Sequence, residues 1–367
     1  MYLNQLSLQN FRNYSKSEFN FSKDTTLIVG ANASGKTNFL EAVFFLARGE
    51  SFRTDKDEQV MRFGEEVSHL SAGILPISNT TNTTNNSIRL EIIIASGAMG
   101  SRGVGQKKYL VNGVNKRRVD FVGNLFTVLF SPLDLDMIVG SPRLRRNFLN
   151  SVLIATDIEY RTALLEFTKG LRQRNALLEK ARETGRRDEK QFDYWDNTLI
   201  KSGQVIAQKR EGLINFINSS QKDIFDFVML YDKSVISKER LLQYKSAELG
   251  AGVTLVGPHR DDFNIQIHPN AISPNESESR DVKFFGSRGQ QRLVVLQLKL
   301  FELEFVEKRL SERPILLLDD IFSELDDEHI KLVLEMIGKQ QTIITTTRKE
   351  FVEDSFLKEA SVIELHR

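Results

Sequence analysis

Apolar residues alternate with polar ones at the start of the chain, at Leu3, Leu6 and Leu8 and again at Phe19 and Phe21. That period of two predicts short, half-buried strands. Thr26-Leu27-Ile28-Val29 has no polar interruption and predicts a buried strand feeding a glycine-rich loop. Asn38 to Leu46 is apolar nearly all round a helical wheel, which predicts a helix covered on every side. Residues 67–130 read as further strands and hairpins, and Asn112-Gly113 marks a tight turn between Tyr109-Leu110-Val111 and Lys116-Arg117-Arg118. The polar stretch from Ser78 to Ser87 has almost nothing to bury and predicts a hairpin tip.

The period changes near Ser141-Pro142, a helix cap followed by a first-turn proline. From there to about Leu249 the apolar residues recur at helical spacing, and Thr184 to Asp188 predicts the break between two long helices. Strands are expected again at Gly252–Val256, Phe263–Ile267, Ile315–Leu318, Thr342–Thr345 and Val362–Leu365, with helices over 290–310 and Asp326–Ile337. The Pro, Asn and Ser content of Pro269 to Ser279 predicts a loop. The expected organisation is an α/β head built from 1–140 and 250–367, interrupted by a helical lobe over 141–249.

Composition narrows this picture without directing it. The 367 residues are enough for two lobes. Fifty basic and 49 acidic residues nearly cancel, so any nucleic-acid surface must be a local patch. The absence of cysteine excludes disulfides, thiolate metal sites and a cysteine nucleophile. The opening Met1-Tyr2-Leu3-Asn4-Gln5 lacks a signal-peptide pattern and no window approaches a membrane span, so a cytoplasmic protein without a membrane partner is expected.

The candidate chemistry lies at the two ends. Gly30-Ala31-Asn32-Ala33-Ser34-Gly35-Lys36-Thr37, followed by Asn38, fits the phosphate-loop pattern G-x-x-x-x-G-K-[ST]. Its glycines let successive backbone N–H groups face phosphates, Lys36 supplies a cation, and the Thr37 hydroxyl suits Mg²⁺. Far downstream, Ile315-Leu316-Leu317-Leu318 closes on Asp319 and Asp320. Asp319 is expected to hold Mg²⁺ opposite Thr37, and Asp320 to orient an attacking water. Lys36, Asp319 and Asp320 are the candidate catalytic residues, with ATP and Mg²⁺ as the implied cofactors. Ser287-Arg288-Gly289-Gln290-Gln291-Arg292 opens a helix, as a simple cap or as an anion site. The basic groups Arg143, Arg145 and Arg146, and Lys116, Arg117 and Arg118, suit either DNA phosphates or solvated faces. His259 and Arg260, beside Asp261 and Asp262, suit either an internal ion-pair cluster or a nucleotide or DNA contact.

Taken in order, these motifs resemble the RecF family, SMC/Rad50-like ATPases of bacterial recombinational repair. The resemblance rests on Asn10-Phe11-Arg12-Asn13-Tyr14, Gly35-Lys36-Thr37-Asn38 with Leu40-Glu41-Ala42, Ser51-Phe52-Arg53, and Phe130-Ser131-Pro132. It continues through Gly140-Ser141-Pro142 with Arg145-Arg146 and Phe148-Leu149, Trp195-Asp196, Gly257 to Asp262, Ser287 to Arg292, and Leu318 to Asp326. Leu133 stands where the family usually has Glu, which leaves that role to Asp134; Asn150 stands where Asp is common. Thr345-Thr346-Thr347 replaces the switch histidine of ABC-type ATPases, which is also RecF-like.

The resemblance implies an ABC/SMC-type P-loop ATPase head, a mixed sheet plus antiparallel hairpins, with an inserted helical lobe. It implies that Ser287, Gly289 and Gln290 grip nucleotide held by the Lys36 loop of a second copy, and that Ser323 to Asp326 join the dimer seam. It further implies an ATP-dependent homodimer with weak ATPase activity. Such a dimer binds duplex and gapped DNA and works with RecR- and RecO-type mediators to load a recombinase. The alternative is a related SMC-like ATPase coupled to a nuclease, for which too little chain follows Asp320 to supply an acidic metal domain. A non-hydrolysing ATP-binding module and a transporter-coupled ATPase are further rivals.

Overall fold

A computed structural model describes residues 1–76, 87–97, 105–267, 279–321, 330, 333, 337, 339–347 and 360–365. The chain divides into two compact units, Met1–Pro132 with Glu302–Arg367, and Leu133–Phe301. The second takes in more than the helical insertion expected at 141–249, because a small sheet and most of a long helix pack with those helices.

The first unit holds two sheets. Strands β1 (Tyr2–Phe11), β2 (Tyr14–Asn20), β4 (Val67–Leu75), β5 (Ile88–Ala95), β6 (Gln106–Val111) and β7 (Val114–Lys116) form an antiparallel sheet in the order β2-β1-β4-β5-β6-β7. The Asn112-Gly113 turn forms as expected, with both residues at positive φ, 51° and 76°. The other sheet is parallel, in the order β14-β3-β13-β12-β8, from β3 (Thr25–Gly30), β8 (Thr127–Phe130), β12 (Ile315–Asp319), β13 (Thr342–Thr346) and β14 (Ser361–Leu365). Helix α1 (Lys36–Arg48) packs on strands of both sheets, with ten of its 13 residues buried. That placement accounts for its apolar character on every face. The short α2 (Arg118–Phe121) follows β7. Gln341 ties the unit together: its buried amide accepts from Leu3 N (2.8 Å) and donates to the carbonyls of Leu3 and Ser22 (both 2.7 Å).

The second unit is mainly helical: α3 (Leu135–Val139), α4 (Pro142–Thr156), α5 (Ile158–Thr184), α6 (Glu189–Ser219), α7 (Lys238–Gln243), α8 (Lys245–Ala251) and α9 (Val282–Phe285). Helix α10 (Arg288–Leu310) begins here and ends in the first unit. Gly185, at φ 67°, closes α5 at the predicted break.

Two expectations fail in this unit. The helical stretch is interrupted by a strand, β9 (Phe227–Asp232), which pairs with β10 (Asp262–Ile267); β11 (Arg280–Asp281) completes a three-stranded antiparallel sheet. Gly252–Val256 is not a strand, because Gly252 at φ 71° is the left-handed cap of α8. The outer side of β9 meets a side chain. Asn218 donates to Met229 O and accepts from Met229 N, both at 2.8 Å.

The cap at Ser323–Asp326 lies outside the described residues, as do most of the helix expected over Asp326–Ile337, the 78–86 tip and the 269–278 loop.

Candidate functional site

Strand β3 ends at Gly30, and the chain curls through Ala31-Asn32-Ala33-Ser34-Gly35 into α1. The loop is held from behind. Tyr14 donates its hydroxyl to Gly35 O (3.1 Å) and Asn13 donates to Ser34 O (3.2 Å). Gly35 sits at φ +104°, and a Cβ there would lie 2.4 Å from Asn13 Nδ2. Conformation and crowding therefore both require glycine. Ala33 also takes a positive φ, 66°. Lys36 is nearly buried, and its ammonium donates to Gly30 O (2.8 Å) and Ala31 O (3.1 Å), inside the mouth of the loop. Burial lowers its pKa, against the pull of Asp320 and Asp319.

The two distant motifs meet. Thr37 donates its hydroxyl to Asp319 Oδ1 at 3.1 Å, and Thr345 donates to the same oxygen at 2.8 Å. Parallel pairing in the order β3-β13-β12 sets Asp319 beside Thr345 at the ends of their strands, next to the end of β3, from which the loop leads to Thr37 in α1. Asp319 is 5% exposed, and burial raises its pKa against the hydrogen bonds from Thr345 and Thr37. Asp320 adopts φ +50°, and its N–H reaches Thr345 O and Oγ1, both at 3.2 Å. A non-glycine residue in that region carries strain of the kind that collects at functional sites.

The site fits a metal-bound triphosphate on three counts. Ser34 Oγ is buried with no hydrogen-bond partner in the protein, the loop's N–H groups lead into a helix N-terminus, and a hydroxyl beside two carboxylates is the hard-oxygen donor set that Mg²⁺ takes.

Behind the loop stands a cluster that sequence patterning did not assign. Glu41 is fully buried in α1. Arg12, at φ 51°, forks onto it through Nε (2.8 Å) and Nη2 (2.5 Å), while Ser51 Oγ (2.5 Å) and Arg53 Nη1 (3.3 Å) also donate to it. Arg53 further donates to Asn38 Oδ1 (2.7 Å), and Asn38 donates to Asn13 Oδ1 (2.8 Å). The Arg12 and Ser51-Phe52-Arg53 segments thus fix the first turns of α1. A buried carboxylate must be paired, and that requirement was the available signal.

In the second unit, Ser287 and Gln290 form a reciprocal cap at the start of α10. Gln290 N donates to Ser287 Oγ (3.2 Å) and Ser287 N donates to Gln290 Oε1 (2.9 Å). Ser287, Arg288 and Gly289 are exposed. A Cβ on Gly289 would meet nothing closer than Ser287 Oγ at 3.8 Å, so packing within the chain does not require this glycine. Gln291 is buried and donates to the carbonyls of Val282 (3.2 Å), Lys283 (3.5 Å) and Gly286 (3.3 Å).

Several other candidates are paired within the chain, some of them at the surface. Arg145 forks onto Asp262 (2.6 and 2.9 Å), and Arg146 donates to Asp261 O (2.8 Å), so neither is a free cation for DNA. Asp261 is fully buried against Arg210 (2.8 Å), with Tyr231 also donating to it. Asp261 and Asp262 therefore sit in an ion-pair cluster with Arg210 and Arg145, while Arg260 is exposed. Burial pushes the pKa of His259 down to about 4, which keeps its ring neutral at pH 7. Arg117 pairs with Asp120 (2.8 Å) and Arg118 with Glu50 (2.5 Å). Asp134 is ion-paired with Lys299 (3.1 Å), and neighbouring Leu133 is exposed. No helix among the described residues is long and apolar enough to cross a membrane.

The chain matches the family model for the RecF/RecN/SMC N-terminal domain over residues 2–365. It is 33% identical to the DNA replication and repair protein RecF of Bacillus thuringiensis (strain Al Hakam) over 386 aligned positions, covering 99% of this chain and 96% of that one. RecF of Bacillus cereus (strain B4264) gives the same values. A solved structure of the recombination mediator protein RecF with ATP, of the RecFOR pathway, superposes with TM-score 0.82 at 31% identity, over 96% of this chain and 93% of that one. The Smc head domain of Pyrococcus yayanosii, at 14% identity and TM-score 0.54 over 100% of this chain and 95% of its own, shares the fold alone. With its mixed α/β ATPase-head fold and a full-length match above 30% identity, the chain belongs to the RecF family.

Proposed function

We propose that this chain is an ATP-switched DNA clamp of replication and recombinational repair. The observation that carries the reading is the hydrogen bond between Thr37 and Asp319, which joins the two sequence motifs into one nucleotide pocket. Relatives named for DNA replication and repair, and a RecF structure with ATP, support the same reading.

Gly30 to Asn38 bind the triphosphate, with Lys36 on its β and γ groups. Thr37 and Asp319 hold Mg²⁺, which neutralises phosphate charge when bound. Asp320 orients the attacking water, and hydrolysis is slow. Ser287, Gly289 and Gln290 of a second copy close on the γ-phosphate, so two chains share two nucleotides. Met1–Pro132 with Glu302–Arg367 serve as the nucleotide-binding head, and Leu133–Phe301, which holds the 141–249 helices, serves as the inserted lobe. The closed dimer holds duplex DNA near single-strand gaps. RecO- and RecR-type mediators are its partners, in keeping with the RecFOR pathway of its solved relatives.

Sedimentation tests this directly with Mg²⁺ alone, with Mg²⁺–ATP, and with ATP plus a gapped duplex. The expected result is a monomer that dimerises only with ATP and then retains DNA. Ser287→Arg should remain a monomer that still binds ATP, and Lys36→Arg should bind ATP without turning it over. A Ser287→Arg protein that dimerises normally would sink the shared site.

A further inference from the structure

Immediately before Ser287, Phe284 and Phe285 stand 72% and 64% exposed. Phe63 and Tyr194 are also exposed, but here two phenylalanines stand side by side in solvent. They belong to α9, a single turn whose first residue, Val282, is fully buried. The Gln291 amide, in the first turns of α10, bonds the carbonyls on either side of the pair, at Val282, Lys283 and Gly286. The aromatic pair is thereby fixed in position relative to Ser287. Phe284 also rims a hollow of about 260 Å³ backed by Met137, Ile138 and Phe263.

Basic side chains flank the pair. Lys283 lies over the Phe284 ring at 5.5 Å and Arg280 over the Phe285 ring at 5.8 Å. Arg288 follows, exposed. Of the acids that line the hollow, Asp281 caps the N–H of Lys283 at 2.8 Å and Asp262 is forked by Arg145. A cationic collar around exposed aromatics is complementary to a face carrying a triphosphate beside Asp319 and Asp320. That face is the nucleotide-loaded loop of another copy of this chain. Gly289, which has open space before it, lets such a face come close to the helix backbone.

We propose that Phe284 and Phe285 are the apolar anchor of the ATP-dependent dimer, each pair burying against the nucleotide-bearing unit of the second copy. The inference rests on the clamp reading, to which it adds the source of affinity. Nucleotide phosphate draws the collar in, and the buried rings supply the slow dissociation.

The test compares wild type with the Phe284→Ser/Phe285→Ser double variant. Dimer dissociation constants are measured by sedimentation in Mg²⁺–ATP, and ATP affinity is measured on dilute monomer. The variant's dimer dissociation constant should rise roughly tenfold or more, with monomer ATP affinity unchanged. In a parallel sample, benzoylphenylalanine placed at 284 should photo-crosslink to a second copy only when ATP is present. If wild type dimerises and the double variant dimerises equally well, the anchor falls and the clamp stands. If the variant loses ATP affinity and dimerisation together, or if the crosslink forms without ATP, the anchor also falls. A wild type that never dimerises overturns both.

Discussion

Two helices in this chain begin at candidate anion sites, and their surroundings are opposite. The N-terminus of α1 is enclosed: Tyr14 and Asn13 hold the loop, Lys36 fills its mouth, and Glu41 anchors the first turns through Arg12, Ser51 and Arg53. The N-terminus of α10 is open, with Ser287, Arg288 and Gly289 exposed and only the reciprocal Ser287–Gln290 cap completing it. The first is a pocket with its walls in place. The second is one wall. A shared site divides labour in this way, since only the half that keeps the ligand in the monomer must be preassembled.

The largest expected effect comes from dismantling the enclosed half. Glu41→Ala strands the Arg12 guanidinium and should cost about 3 kcal/mol in chemical unfolding. It should also loosen ATP binding, whereas a loss below the usual surface scatter would show that the cluster does not brace the loop. Gly35→Ala is narrower. Alanine at that positive φ costs about 1–2 kcal/mol, with Asn13 in its path. ATP affinity measured by titration should fall roughly tenfold or more.

For the open half, Ser287→Asp keeps a good helix cap but sets a negative charge against phosphate. Melting should hardly change, while the ATP-dependent dimer weakens about tenfold. Equal dimerisation would mean that Ser287 is only a cap.

The smallest effect is a pH dependence within the second unit. His259 has a folded pKa near 4, below its ordinary value of 6.5, so the unfolded chain takes up the proton first. Its contribution is therefore complete above about pH 6.5 and is lost as pH falls toward 4. Discounted for partial burial, this amounts to about 1–2 kcal/mol. His259→Gln should flatten that part of the acid limb in urea unfolding, relative to wild type.

Legibility in the sequence followed range. The phosphate loop, the apolar strand ending at Asp319, the turn at Asn112-Gly113 and the glycine closing α5 are local patterns, and each formed in place. Strand β9 escaped detection because its six residues lie inside a long run of helical spacing, and its identity comes from pairing with β10. Arg145 and Arg146 read as free cations because nothing local shows that Asp262 and the Asp261 carbonyl face them. The partnership of Arg12 and Glu41 was invisible for the same reason. Gly252 reads as strand because the valines after it outweigh, in sequence, the α8 cap it supplies.

The side chain of Asn218 deserves one last consideration for what it denies to other molecules. Exposed strand edges invite company: any extended peptide, or the same strand from a neighbouring chain, can extend the sheet by taking up the unpaired amides and carbonyls. Asn218 occupies both groups of Met229 at the middle of β9 with a single carboxamide. Strand addition along that edge is thereby blocked at Met229. For the proposed clamp, in which copies meet through a nucleotide-governed face, this removes one route to uncontrolled β-pairing.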